Sequence, residues 1–303
     1  MTNLDTGSHV DPQLVNAFFG MQLGGEFGMF VIFLTALASP HVKRNSTWYT
    51  FCFAWILSCI SYTLIFLIGQ QNSPTFGACV TQAAGIYSAP ILTSLTTLAF
   101  ALDMLLGVRA ATTKQLPPKY KYSITLALLI VPFFIWLLMF IGFLSFGINN
   151  PALVHKGPNG TYCDLDTFTP SKISGIIVVL ATLLIIIIEG QSNLYIATRI
   201  FKNRNLLQDG RLIAMAIRVM IFSLLGALGL GIGFIYVLFS EQAPAFDIIT
   251  ALLPLGAVII FGTHLDLLNV WLFWRRPKSR DDSRINDPKS PSILSVPTPR
   301  SWT

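Results

Sequence analysis

The chain has 303 residues, 53% hydrophobic and only 11% charged, with a mean hydropathy of +0.64. Soluble domains carry about 25% charged residues, so this composition leaves too little polar surface to face water on all sides. A formal net charge of +6 would suit nucleic acid, but the basic residues sit in short segments between long apolar runs, which suits the positive-inside pattern of a multi-span membrane protein better than a basic groove.

The first thirteen residues carry Asp5 and Asp11 and no Lys or Arg, so the first apolar segment lacks the basic leader of a cleaved signal peptide and is expected to stay as a span. Apolar segments follow at roughly 14–38, 48–69, 78–108, 122–147, 173–198, 212–239 and 247–274. Each is long enough as a helix to cross a bilayer core of about 30 Å, and the Gly and Pro within them are tolerated in such helices. The expected fold is an all-α seven-transmembrane helix bundle over 14–274, between an extracellular N-terminus (1–13) and a cytoplasmic tail (275–303). That tail is rich in Pro and Ser and is expected to be disordered.

Orientation follows from the Lys and Arg residues. Lys43 and Arg44 fall between the first two segments, and Arg109, Lys114, Lys119 and Lys121 between the third and fourth. Arg199, Lys202, Arg204 and Arg211 fall between the fifth and sixth, and seven more lie in the tail. The opposite side has only Lys156 and Lys172, so the N-terminus is expected outside and the tail in the cytosol. Trp48, Trp271 and Trp274 then fall at the inner interface, as an aromatic belt requires.

The third segment, from Cys79 to Arg109, organises the rest. Cys79 stands at its outer end and Cys163 in the long outer loop, and these are the two of the four cysteines that face the oxidising side. A disulfide between them would staple the loop over the helix mouth; the other reading is two free thiols. Cys52 and Cys59, in the second segment, read as small buried hydrophobes. Asn159-Gly160-Thr161 in the outer loop is a glycosylation sequon, whereas Asn45-Ser46-Thr47 lies on the inner side and is expected to be unused.

Asp103 follows Cys79 by twenty-four residues, Trp136 sits in the fourth segment, and Asn269-Val270-Trp271-Leu272-Phe273 closes the seventh. In these positions the chain resembles a divergent rhodopsin-like (class A-like) G-protein-coupled receptor. That family has an outer disulfide to the third helix, an Asp-Arg-Tyr motif there, a fourth-helix Trp and a seventh-helix Asn-Pro-x-x-Tyr. Met104 and Leu105 stand where the family has Arg and Tyr, and the sixth segment has no Cys-Trp-x-Pro. Fungal pheromone receptors share the seven-helix plan. The resemblance implies a plasma-membrane receptor that takes an extracellular ligand, sits among membrane lipids and hands its signal to a heterotrimeric G protein. It implies no catalysis, cofactor, metal or nucleic acid.

Ionisable residues within spans mark function by default. Here they are Glu26, Asp103, Glu189, Arg218 and Asp266. The resemblance suggests a latch in which Asp103 on the third helix pairs with Arg218 (or Arg211) on the sixth. The other reading leaves Arg218 snorkelling and Asp103 capped by local hydroxyls. Asp266 with His264 and Asn269, and Glu189 with Gln191, Ser192 and Asn193, read as polar clusters that join helices or carry a water network. Glycines 226, 229, 231 and 233 in the sixth segment allow a bend or close packing. A transporter or channel using Glu26, Glu189 and Asp266 is the competing function. A retinal protein needs a Lys in the seventh segment, which has none.

Overall fold

A computed structural model describes residues 12–40, 42, 44–113, 118–157, 159–202, 217–228, 231 and 245–272. The expectations for the N-terminus and tail, and for Lys43, Arg211 and Trp274, lie outside these residues. The helices are α1 (Pro12–Ala38), α2 (Ser46–Leu67), α3 (Phe76–Thr113), α4 (Pro118–Asn149), α5 (Phe168–Lys202), α6 (Ile217–Leu228), α7 (Ala245–Gly262) and α8 (Leu265–Trp271). The molecule is an all-α membrane protein in which α1 to α5 are long and apolar enough to cross a membrane; α6 and α7 are shorter apolar helices. At about 1.5 Å per residue, the 38 residues of α3 reach roughly 57 Å, well beyond one bilayer core.

The seventh segment is not one helix. Gly262 ends α7, Thr263 and His264 leave helical geometry, and the His264 ring caps α8 by accepting from the Asp266 backbone N–H. An N-terminal cap of this kind restarts a helix because it satisfies a donor that the first turn leaves open.

α3 packs against α2, α4 and α5, while α1 packs against α2 and α7. The buried side of α3 is rich in hydroxyls. Ser88, Thr93, Thr96 and Thr97 each bond a carbonyl one turn back, so polar groups enter the interior with a partner. α1 meets α7 through glycines: a Cβ on Gly25 would stand 2.6 Å from Pro254 and one on Gly28 2.7 Å from Val258. Only residues without a side chain let these two backbones approach so far. The sixth-segment glycines do not serve this way where they are described, since a Cβ at Gly226 or Gly231 meets nothing within 4 Å.

An aromatic core ties α2, α3, α6 and α7. Phe51 lies 5.7 Å from Phe100, 5.6 Å from Phe222 and 5.0 Å from Phe261, centroid to centroid. Such edge and tilted pairs are favourable beyond the area they bury. Trp48 belongs to this core and is fully buried, so it is not part of an interfacial belt. Trp271 instead donates to the Thr35 hydroxyl at 3.0 Å, joining α8 to α1.

Between α4 and α5 the chain makes a two-stranded antiparallel hairpin, β1 (Val154–Lys156) and β2 (Cys163–Leu165), with Lys156 opposite Cys163. Gly160 turns it with φ of 68°, a conformation that costs glycine nothing. The hairpin lies against α3 at one end of the bundle. The α1–α2 connection, the α7–α8 break and Asp103 of α3 meet at the other end, called here the junction end.

Candidate functional site

At the hairpin end, Cys79 of α3 and Cys163 of β2 form a disulfide with Cα atoms 5.2 Å apart. Neutral hydrogen bonds reinforce it. The Cys163 N–H donates to Gln82 Oε1 at 2.9 Å, the Leu165 N–H to the Tyr87 hydroxyl at 3.3 Å, and Gln71 Nε2 to the Gly160 carbonyl at 2.7 Å. The hairpin also reaches α7, where Asp247 is 3% exposed and accepts three bonds. Asn159 Nδ2 and Thr161 Oγ1 donate to its Oδ2, each at 3.0 Å, and the Tyr162 hydroxyl to its Oδ1 at 2.7 Å. Sequence reading did not single out Asp247. Its signal was an acidic residue in the first turn of an apolar helix, where the helix dipole favours negative charge. Beneath it, Tyr162 packs against Phe18 and Tyr62, both at 5.8 Å, closing the bundle between α1, α2 and α7. Burial and the adjoining Asp247 carboxylate push the Tyr162 phenol well above its ordinary range.

On the exposed side of the hairpin, His155 lies between two carboxylates. Its Nδ1 is 3.2 Å from Asp164 Oδ1 and its Nε2 is 3.7 Å from Asp166 Oδ2. Burial pushes the Asp164 carboxyl up to about 6; His155 opposes that shift, while Asp166 and Asp247 add to it.

At the junction end, the pair expected of Asp103 and Arg218 does not form; each has other partners. Asp103 Oδ2 accepts from Asn45 Nδ2 at 2.9 Å and from Thr47 Oγ1 at 2.7 Å. Arg218 turns to the last turn of α7, bonding the Ile260 carbonyl, Thr263 Oγ1 at 2.9 Å and the Thr263 carbonyl at 3.2 Å. The physical reason is that a helix end leaves open carbonyls, and a guanidinium satisfies several at once while complementing the dipole. Asp103, with two neutral donors on the α2 side, has no need of a cation.

The charge pairing at this end belongs to Arg44. Its Nη2 is 3.8 Å from Asp266 Oδ2, its Nη1 is 3.4 Å from His264 Nε2, and its guanidinium stands 5.7 Å from the Trp48 ring centroid. Burial lowers the Arg44 pKa and Asp266 pulls it back up. Asp266 and His264 lie together at this end, His264 Nδ1 3.6 Å from Asp266 Oδ2, while Asn269 is exposed on α8. Glu189 accepts from Ser223 Oγ at 2.6 Å, linking α5 to α6, and Arg109 reaches Gln191 Oε1 at 3.5 Å. The Asn193 side chain lies outside the described residues. Cys52 and Cys59 are buried free thiols.

The chain thus has a covalently fastened hairpin over one end and a charged, non-covalent junction at the other, where the α1–α2 connection touches α3, α7 and α8. No protein-family model matches the chain, and no curated protein matches it.

Proposed function

We propose that this chain is a seven-helix plasma-membrane receptor that relays an extracellular ligand signal to a heterotrimeric G protein. α1 to α7 would be the seven spans, the hairpin end would face outside, and the junction end and tail the cytosol. The observation that carries the reading is the Cys79–Cys163 disulfide, which needs an oxidising compartment and binds a loop across the mouth of α3. The basic residues gathered at the other end support the same orientation.

The work of such a receptor is to couple two ends of a bundle. Ligand would enter beneath the hairpin, where Asp247 joins α7 to the loop. Displacement of α7 would reach the junction through the α7–α8 break, where Arg44 holds His264 and Asp266. A ligand biases such an equilibrium only by its difference in affinity for the two states. The basic ends of α3 and α5 would receive the G protein and attract anionic lipid headgroups. Glycosylation of Asn159 belongs to this reading of the outer loop.

The test is a ligand screen on purified protein reconstituted with G protein, read as nucleotide exchange. A ligand that accelerates exchange on the wild type and not on Arg44→Ala is the expected result. Ligand-driven ion flux in vesicles with no exchange would instead establish the transporter reading, which Glu26 and Glu189 within the spans favour.

A further inference from the structure

The His264 ring stands at the α7–α8 break with more asked of it than one imidazole can give. It is 7% exposed, and both of its nitrogens have close neighbours. On one side the Asp266 backbone N–H points to Nδ1 at 3.4 Å, and the Asp266 carboxylate Oδ2 lies 3.6 Å from the same atom. On the other side Arg44 Nη1 lies 3.4 Å from Nε2. A neutral imidazole has one N–H and one lone pair, and a guanidinium has donors only. Capping α8 needs the lone pair on Nδ1, whereas accepting from Arg44 needs it on Nε2.

The two contacts are therefore alternatives, and the tautomer decides between them. With the proton on Nε2, the ring caps α8 and turns an N–H toward the Arg44 donor. With the proton on Nδ1, Nε2 accepts from Arg44, Nδ1–H faces the Asp266 carboxylate, and the first turn of α8 gives up its cap. The two competing donors stand at the same distance, so the frame itself selects neither. Each state has something to recommend it. Arg44 Nε is buried and, among the described residues, has no hydrogen-bond partner, so this guanidinium is short of acceptors. Its Nη2 also lies 3.8 Å from Asp266 Oδ2, which closes an Arg44–His264–Asp266 triangle when the proton is on Nδ1. Against this, the start of α8 has open donors that a cap satisfies. Arg218 of α6 is already spent on the end of α7, and Tyr49 and Cys52 of α2 lie beside Arg44.

We propose that His264 is a tautomeric toggle whose single lone pair serves either Arg44 or the first turn of α8, never both. A grip of the α1–α2 connection on the break and a capped α8 thus exclude each other. Any movement that brings one donor nearer releases the other, which makes the junction bistable rather than continuously deformable. The toggle is a property of the resting protein and its test uses neither ligand nor G protein, so its failure and that of the receptor reading are separate outcomes.

The experiment is magic-angle-spinning NMR of the full-length protein, labelled with nitrogen-15 histidine, in lipid bilayers at pH 8, where a histidine of ordinary pKa is neutral. His264→Gln identifies the His264 signals by their loss. Arg44→Met keeps the bulk and removes the donor; it raises the ratio of Nε2–H to Nδ1–H by about threefold or more, and the Asp266 amide exchanges with solvent more slowly by a similar factor. Arg44→Lys, which keeps a cationic donor, lies closer to the wild type in both readouts. Should Arg44→Met fail to fold, His264→Asn keeps a good N-cap and is too short to serve Arg44, so the Asp266 amide again slows by about threefold. A tautomer ratio unchanged in Arg44→Met overturns the toggle. So does an imidazolium in the wild type, or an Asp266 amide that exchanges as fast in His264→Asn as in the wild type.

Discussion

The two ends of the bundle use the same small device and surround it differently. At the hairpin end, Asn159 and Thr161 close on Asp247; at the junction end, Asn45 and Thr47 close on Asp103. In each case an Asn amide and a Thr hydroxyl two residues on donate to one carboxylate oxygen. Around the first clasp stands a disulfide. Around the second stand Arg44, His264 and Asp266, held by an ion pair and hydrogen bonds with no covalent tie. The difference teaches where movement is cheap: a covalent tie fixes one end in a single arrangement, while charged contacts at the other can exchange partners.

The largest way to break this comparison is to remove the covalent tie. The bond closes a loop of 84 residues, and opening it with Cys79→Ser and Cys163→Ser is expected to cost about 4 kcal/mol of stability. Chemical or thermal unfolding of wild type and double variant measures it; equal midpoints would show that the hydrogen bonds alone hold the hairpin.

A smaller effect is a pH slope confined to the hairpin end. Asp164 ordinarily titrates near 3.8 and here near 6, so the folded state holds its proton more tightly than the unfolded one. Its contribution is complete below the lower value and is lost as pH rises through the upper one, in all roughly 2–3 kcal/mol. Thermal midpoints at pH 4, 5, 6 and 7.5 should fall across that window in the wild type. Asp164→Asn should flatten the fall, and an identical slope in the variant would remove Asp164 as its source.

The smallest effect sharpens the junction end. A double-mutant cycle on Arg44 and Asp266 should give a coupling of about 1 kcal/mol, since both are partly buried and face each other. The same cycle on Asp103 and Arg218 should be additive within about 0.5 kcal/mol. A larger coupling in the second cycle than in the first would restore the latch between α3 and α6.

Much of this arrangement is visible in the chain itself, because its physics is one-dimensional. A run of apolar residues long enough to cross a bilayer announces a helix without any knowledge of its neighbours, and α1 to α5 fall close to where those runs lie. The Cys79–Cys163 pairing is the one expected if the basic residues mark the cytosolic side, since the other two cysteines lie within the second apolar run. What escapes is chemistry whose partners are distant. Asp103 meets Asn45 across 58 residues and Asp247 meets Asn159 across 88, and both tripeptides look like glycosylation sequons because that reading needs only three adjacent letters. The burial of Trp48 is of the same kind: a Trp near the end of an apolar run fits an interface and a core equally well until its neighbours are known. The α7–α8 break was masked because Thr263 and His264 stand between two apolar stretches.

The clasp on Asp247 has a consequence for synthesis. Its acceptor is made 88 residues after Asn159, and a ribosome adds about 5–20 residues per second, so the tripeptide stands open for roughly 4–18 seconds before its carboxylate exists. With the hairpin end on the lumenal side, as proposed, sugar transfer and closure of the fold would compete for one amide on one clock. Slow translation of α5 and α6 would then lengthen the interval and favour the sugar; fast translation would favour the clasp. An oligosaccharide on Asn159 would be the mark of a polypeptide reached before its own α7 had arrived.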